Sequence, residues 1–194
     1  MQFLPRGEGE ERLGAVVGRA RHEHAQHVFV AVVDLDKVSS TCNACKTAAA
    51  TLQGQVNALK SREQALTSPL QAEGKSIQTA IDALPKGTEP GAALQARIKA
   101  FDTKRQQGAQ ELSRQQTQIQ RNQAYISQQI QTRLGPIYQQ VMQRRGANLM
   151  VEVGSTLATG ASLDVTADVL AALNAALPSV QTTAPAQAEP PASR

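Results

Sequence analysis

The residues Pro-Lys-Gly-Thr-Glu-Pro-Gly, at positions 85–91, separate two long runs of helical periodicity in this chain of 194 residues. Proline lacks a backbone N–H donor and glycine favours turns, so this combination ends a helix and lets the chain reverse. The run on each side is long enough for a helix of about 45–50 residues. The spacing therefore predicts two long helices that fold back on each other as an antiparallel hairpin.

The seam of this predicted hairpin is apolar but repeatedly interrupted. Apolar residues recur at intervals of three and four, which is the pattern of two helices that pack together. The polar positions in the seam are Glu63, Glu73, Arg105, Gln115, Asn122 and Gln129. Pro69, inside the first run, predicts a kink or a restart, and Pro136, inside the second run, predicts a kink. We expect a loosely packed pair of helices that can bend.

Short apolar segments on both sides of the hairpin predict a small β module. Residues 28–33 (VFVAVV), 149–153 (LMVEV) and 157–159 have the composition and length of strands. A short helix should follow, with Thr166 near its start and Val169 and Leu173 on its apolar face. Because one chain offers too few strands for a stable sheet, we expect self-association through this module.

The predicted fold class is α+β and mostly α, with a small oligomerising β body and one long antiparallel helical hairpin arm per protomer. Residues 28–41 and 147–177 form the β body, and residues 42–146 form the arm. Residues 178–194 are rich in Pro, Ala, Thr and Gln, which indicates a disordered tail. Residues 1–27 show no signal-peptide pattern, so we expect this segment to be disordered or to follow a mis-assigned start.

Composition and charge exclude several classes of function. Aromatic residues are 3% of the chain, which is poor for a ligand pocket or for stacking on nucleic-acid bases. No segment is apolar enough to cross a membrane. Residues 42–146 carry 14 Lys and Arg against six Asp and Glu, a net charge of +8. This excess favours anionic partners, although the charges are spread singly rather than in a dense run.

No catalytic constellation is visible. The three histidines, His22, His24 and His27, match no zinc-binding spacing, and no phosphate-binding glycine motif is present. Cys42 and Cys45 form a CxxC pair that permits a local disulfide, two packed thiols or a redox site. We expect no catalytic residue, no metal and no cofactor.

Two segments flank the hairpin: VAVVDLDKV (residues 30–38) and ANLMVEVGSTLATGASLDVTADVLAALN (residues 147–174), which includes DVTADVL (residues 164–170). These segments, and DVTADVL most specifically, resemble the Skp/OmpH family of periplasmic chaperones for outer-membrane proteins. The arms are similar in length and charge character. The resemblance implies a periplasmic homotrimer whose three arms enclose a cavity and hold unfolded β-barrel proteins without ATP.

The resemblance also implies roles for two sets of residues. The candidates for client binding are Phe101, Leu112, Ile119, Ile126, Lys86, Arg97, Lys99, Lys104 and Arg105. The candidates for the oligomeric β body are Val30, Val32, Leu35, Leu149, Val151, Val153 and Leu157. The expected partners are unfolded outer-membrane proteins, further copies of the chain and, through the cations, anionic lipid or lipopolysaccharide, with no nucleic acid.

Other interpretations stay open from the sequence. Packing within the hairpin explains the apolar set equally well, and a solvated helix face explains the cations. A structural coiled-coil scaffold without unfolded clients is the alternative function, but such a protein would keep apolar seam positions over many heptads. A redox enzyme that uses Cys42 and Cys45 would need a thioredoxin-type context, which the sequence lacks.

Overall fold

The computed structural model describes residues 28–185, and the structural statements below refer to that part of the chain. The elements in chain order are β1 (Val30–Val33), α1 (Leu35–Thr41), α2 (Asn43–Asp82), α3 (Ala92–Arg145), β2 (Leu149–Glu152) and α4 (Thr166–Ala176). Two 3-10 turns, Val153–Ser155 and Ala161–Leu163, lie between β2 and α4. The prediction of a mostly helical fold with a small sheet is confirmed.

The two long helices run antiparallel. α2 has 40 residues and α3 has 54, so they are about 60 Å and 80 Å long at 1.5 Å per residue. Gln55 contacts Asn122 and Glu73 contacts Arg97, so the partner's number falls as the residue number in α2 rises. The loop that joins the helices contains Gly87 at φ 81°, a left-handed conformation that glycine adopts without a steric penalty.

The prolines inside the long helices do not begin new helices. α2 continues through Pro69 and α3 continues through Pro136. Both prolines are exposed, so water can reach the carbonyl groups that lose their helical hydrogen bonds. The expected restart at Pro69 is therefore wrong.

The core lies where the ends of the helix pair meet the sheet. β1 and β2 are parallel, with Val30 opposite Leu149 and Val33 opposite Glu152. Beneath them, α1, the last turns of α3 and α4 bury a shared apolar cluster whose members are almost fully inaccessible to water. Among these members are Val38, Val141, Val169 and Leu173. Val165 N donates to Val32 O at 2.8 Å, which ties the start of α4 to β1.

Three local predictions differ from the structure. The sequence pattern predicts no helix at residues 35–41, but Asp34 Oδ1 accepts from Lys37 N at 2.7 Å and caps α1 there. Residues 157–159 form no strand, and within residues 28–185 the sheet contains only β1 and β2. Residues 178–185 lie along α3 with defined hydrogen bonds instead of being disordered, whereas the rest of the predicted tail and residues 1–27 lie outside the described residues.

Truncating Leu173 should destabilise the protein strongly. Its side chain is completely buried among α1, α3 and α4, so Leu173→Ala leaves a cavity that the surrounding residues cannot fill. We expect a loss of about 2–5 kcal/mol in the free energy of unfolding, measured by urea denaturation. Ile81→Ala, a control at a 36% exposed position, should cost far less. Equal losses for the two variants would show that the core does not lie at the sheet.

Candidate functional site

Exposed apolar side chains gather on the segments around the two-stranded sheet. We call this set the exposed apolar surface, and its members are Val28, Phe29, Leu149, Val153, Leu157 and Leu163. Val28, Phe29 and Leu163 line one cavity of about 390 Å³ beside the sheet. Leu157 is fully exposed. Apolar surface of this kind in a soluble protein marks an interaction site.

The residues predicted for the oligomeric β body divide into three groups. Leu149, Val153 and Leu157 are exposed and belong to the exposed apolar surface. Val30 and Val151 are half-buried. Val32 is buried and Leu35 packs against the core of its own chain, so neither is free to contact another copy.

Two ion pairs bridge the long helices. Arg62 donates to both carboxylate oxygens of Glu111, at 2.6 Å through Nε and 3.0 Å through a terminal nitrogen. Arg97 Nε donates to Glu73 Oε1 at 2.6 Å, and a terminal nitrogen of Arg97 donates to Ser76 Oγ at 2.9 Å. The hydrogen bond from each arginine is the main reason why the pKa of Glu73 and the pKa of Glu111 lie below their ordinary values.

A cavity of about 450 Å³ lies between these ion pairs. Leu66, Pro69 and Leu70 give it an apolar wall, and charged side chains surround it. Gly108 faces Leu66 across the helix pair, and a methyl group added at Gly108 would lie 3.7 Å from a Leu66 methyl. The cavity therefore suits an apolar side chain of a partner.

The predicted apolar contacts for clients lie within the helix pair. Ile126 is buried, and Phe101, Leu112 and Ile119 are half-buried. Phe101 packs close to Gly74 of α2, where an added methyl group would lie 3.3 Å from the ring. These side chains serve at least in part to pack α2 against α3.

The predicted cations have different environments. Arg97 is half-buried and forms an ion pair with Glu73. The other four are exposed: Lys86, Lys99, Lys104 and Arg105. Arg105 contacts Asp102 at 3.3 Å, and Lys104 acts electrostatically on Glu73. Lys86 and Lys99 form no ion pair within residues 28–185, so they are the cations most open to an anionic partner.

Cys42 and Cys45 are joined by a disulfide at the start of α2. Cys42 is completely inaccessible to water, Cys45 is nearly so, and both belong to the core cluster. The Cys42 sulfur also accepts from Cys45 N at 3.1 Å, at the helix N-terminus. A buried, packed disulfide is typical of a structural bond rather than of an exchange site.

The histidines lie outside the described residues, and residues 28–185 hold no cluster of three or more His, Cys, Asp or Glu suited to a metal.

The sequence reasoning missed a polar groove along α3. Gln118, Asn122 and Gln129 point their amides toward residues 181–184 of the C-terminal segment. The sequence analysis treated Asn122 and Gln129 only as interruptions of the seam. Their spacing of seven residues places them on one face of a helix, and this spacing could have indicated a polar binding face.

No helix among residues 28–185 combines the length and the apolar character needed to cross a membrane.

Comparisons with known proteins identify a family and solved structures with a similar fold. The family model described as "Outer membrane protein (OmpH-like)" matches residues 30–173. A crystal structure from Caulobacter crescentus CB15, of a protein provisionally assigned as an outer membrane chaperone (OmpH-like), is similar with a TM-score of 0.66. The identity is 15%, and the match covers 80% of this chain and 89% of that chain, so it shows a shared fold. A search of curated proteins found no match.

The ion pairs should make stability depend on acid pH. The lowered pKa of Glu111 in the folded state adds stability above the ordinary pKa of Glu, about 4.3, and this stability is lost as pH falls through the lowered value. Urea unfolding at pH 7 and pH 3 should therefore show a smaller loss of stability for Glu111→Gln than for the unmodified protein. Glu63→Gln, at an exposed position, is the matched control and should keep the unmodified pH dependence. An unchanged pH dependence in Glu111→Gln would mean that the pair does not persist in solution.

Proposed function

The chain belongs to the OmpH-like outer membrane protein family, and we propose that it is an ATP-independent holdase chaperone for unfolded outer-membrane β-barrel proteins. It binds these clients between helical arms and prevents their aggregation before membrane insertion. The family match carries the proposal, because residues 30–173 span both strands, both long helices and most of α4. The family and the Caulobacter relative together support a chaperone role.

The proposed assembly is a homotrimer built on the sheet. A two-stranded sheet has too little buried surface to be stable alone, and here it lies beside the exposed apolar surface. Association of copies through Leu149, Val153 and Leu157 removes these side chains from water. The three helix pairs then project from one body as arms and surround a common cavity.

The proposed arms have the properties that an unfolded client requires. An unfolded barrel strand is apolar on one face and must be shielded without being trapped. The arms offer a net charge of +8 over residues 42–146 and scattered half-buried apolar side chains such as Phe101 and Leu112. Many weak contacts of this kind hold a chain while it stays mobile. Lys86 and Lys99 near the turn are open to anionic lipid or lipopolysaccharide.

The proposed location is the periplasm, where proteins of this family generally act. The Cys42–Cys45 disulfide supports this location, because disulfides persist in oxidising compartments such as the bacterial periplasm. The alternative function is a structural coiled-coil scaffold, which would have no affinity for unfolded chains.

Native mass spectrometry tests the client and the oligomer together. The full chain should form a trimer, and this trimer should take up one urea-unfolded outer-membrane β-barrel when the barrel is diluted into buffer. The same barrel, folded beforehand in detergent micelles, is the control and should not bind. A trimer that ignores the unfolded barrel would favour the scaffold function, and a monomer or dimer that ignores it would remove the chaperone proposal altogether.

A charge placed on the exposed apolar surface should break the oligomer. Leu157→Asp puts a carboxylate where the proposed interface excludes water, so we expect monomers in size-exclusion chromatography with light scattering. Ile81→Asp makes the same change at an exposed position in the last turn of α2 and should leave the oligomer intact. If the oligomer of the Leu157→Asp variant had the same mass as that of the unmodified protein, the copies would associate through another surface.

A further inference from the structure

The C-terminal segment, residues 178–185, is held mainly through its main chain. Gln129 uses both ends of its side-chain amide on one residue: Oε1 accepts from Gln181 N at 3.0 Å, and Nε2 donates to Gln181 O at 2.9 Å. Asn122 Oδ1 accepts from Ala184 N at 2.8 Å. Side-chain amides here replace the main-chain groups of a neighbouring β-strand, which bind an extended chain in the same way.

Three more side chains bind carbonyl groups of the same segment. Gln55 Nε2 lies 3.4 Å from Thr182 O, and Gln118 Nε2 lies 3.4 Å from Ala184 O. A terminal nitrogen of Arg121 donates to Pro185 O. We call the five residues that make these contacts the amide groove, and they are Gln55, Gln118, Arg121, Asn122 and Gln129.

The amide groove is ordered by its own hydrogen bonds. Asn122 is only 3% exposed, and its Nδ2 donates to Gln55 Oε1 at 2.9 Å across the helix pair. Its Oδ1 also accepts from Gln118 Nε2 at 2.8 Å. These bonds fix which end of the Asn122 amide faces the segment, so the groove presents an acceptor to a main-chain N–H.

Side chains of the segment contribute little to this recognition. Gln181, Thr183 and Pro185 are exposed, whereas Thr182 and Ala184 have small side chains that are half-buried. The one side-chain hydrogen bond within residues 178–185 joins Tyr125 Oη to Gln181 Oε1 at 3.0 Å. Val180 packs against the core cluster just before the groove begins. A groove that forms hydrogen bonds with main-chain N–H and C=O groups can bind an extended segment of almost any sequence, because every residue except proline carries both groups.

We propose that the amide groove is a binding site for the main chain of an extended, unfolded client segment, and that the C-terminal segment occupies this site in cis until a client displaces it. The inference rests on the proposed chaperone function and adds a site and a competitor to it. Leu177 anchors the segment in the core, so residues 181–185 stay close to the groove at high effective concentration. Because a client can bind only an open groove, its apparent affinity is the intrinsic affinity multiplied by the fraction of grooves that are open.

A peptide supplied in trans tests the site without any client. The truncated chain ends at Val180, which keeps the core contact of that residue, and circular dichroism should show the helix content unchanged. A labelled peptide of residues 179–187 should bind this truncated chain in fluorescence anisotropy and should bind the full chain about tenfold more weakly. A scrambled peptide that keeps Pro185 in place should bind equally well, because the groove forms its hydrogen bonds with the main chain.

Methylated peptides and one pair of variants locate the contact. Methylation of the backbone nitrogens of Gln181 and Ala184 removes the two donors and should abolish peptide binding. Methylation at Thr183, whose N–H makes no hydrogen bond within residues 28–185, is the matched control. In the truncated chain, Gln129→Ala should weaken binding about tenfold, whereas Gln123→Ala at an exposed position of α3 should not change it.

A urea-unfolded outer-membrane β-barrel then tests the competition. The truncated chain should bind it more tightly than the full chain, and the peptide should compete. In the full chain, the barrel should accelerate hydrogen exchange at the Gln181 and Ala184 amides, a measurement that needs no truncation. Barrel binding that is unaffected by truncation, peptide and Gln129→Ala overturns the inference and leaves the proposed function intact. If methylation abolishes peptide binding but the protein does not bind the unfolded barrel, the proposed function is wrong, and the groove is still a binding site for extended main chain.

Discussion

The parallel pairing of β1 with β2 is the constraint from which the architecture follows. Parallel strands cannot be joined by a tight turn, so the chain must travel away from β1 and return before β2 begins. Here the crossover consists of α1, the outward helix α2 and the returning helix α3. α3 exceeds α2 by 14 residues, since it has 54 against 40. The extra turns carry Ile137 and Val141 into the core, so one helix both returns the chain and supports the sheet.

Beyond that core, the helix pair depends on polar contacts as much as on apolar packing. Each polar interruption that is shielded from water has a partner: Glu73 has Arg97, and Asn122 has Gln55. No buried side-chain nitrogen or oxygen within residues 28–185 lacks a hydrogen bond. Exposed ion pairs contribute about 0–1 kcal/mol each, so they fix the register of the helices without adding much stability.

The sequence was most informative where local chemistry decides the structure. Residues 85–91 and Gly146 mark helix ends because backbone conformation and missing donors act within a few residues. α1 was missed because Asp34 serves equally well in a turn and as a helix cap. The amide groove was missed for a different reason: it depends on partners that lie more than fifty residues apart, such as Gln129 and Gln181. The composition of residues 178–185 favours disorder, and composition carries no information about a distant acceptor or donor.

The energetics of the C-terminal segment explain why such a composition suits it. Six hydrogen bonds join the amide groove to the main chain of residues 181–185, and each contributes about 1 kcal/mol net, or about 6 kcal/mol together. Ordering the backbone of five residues costs about 1–2 kcal/mol each, or about 5–10 kcal/mol. The two sums differ by no more than a few kcal/mol, so the segment is held only weakly in the groove. Large apolar side chains would shift that balance by burying more surface and would close the groove permanently. With small or polar residues such as Thr182 and Ala184, the segment can occupy the groove but is bound weakly enough to leave it.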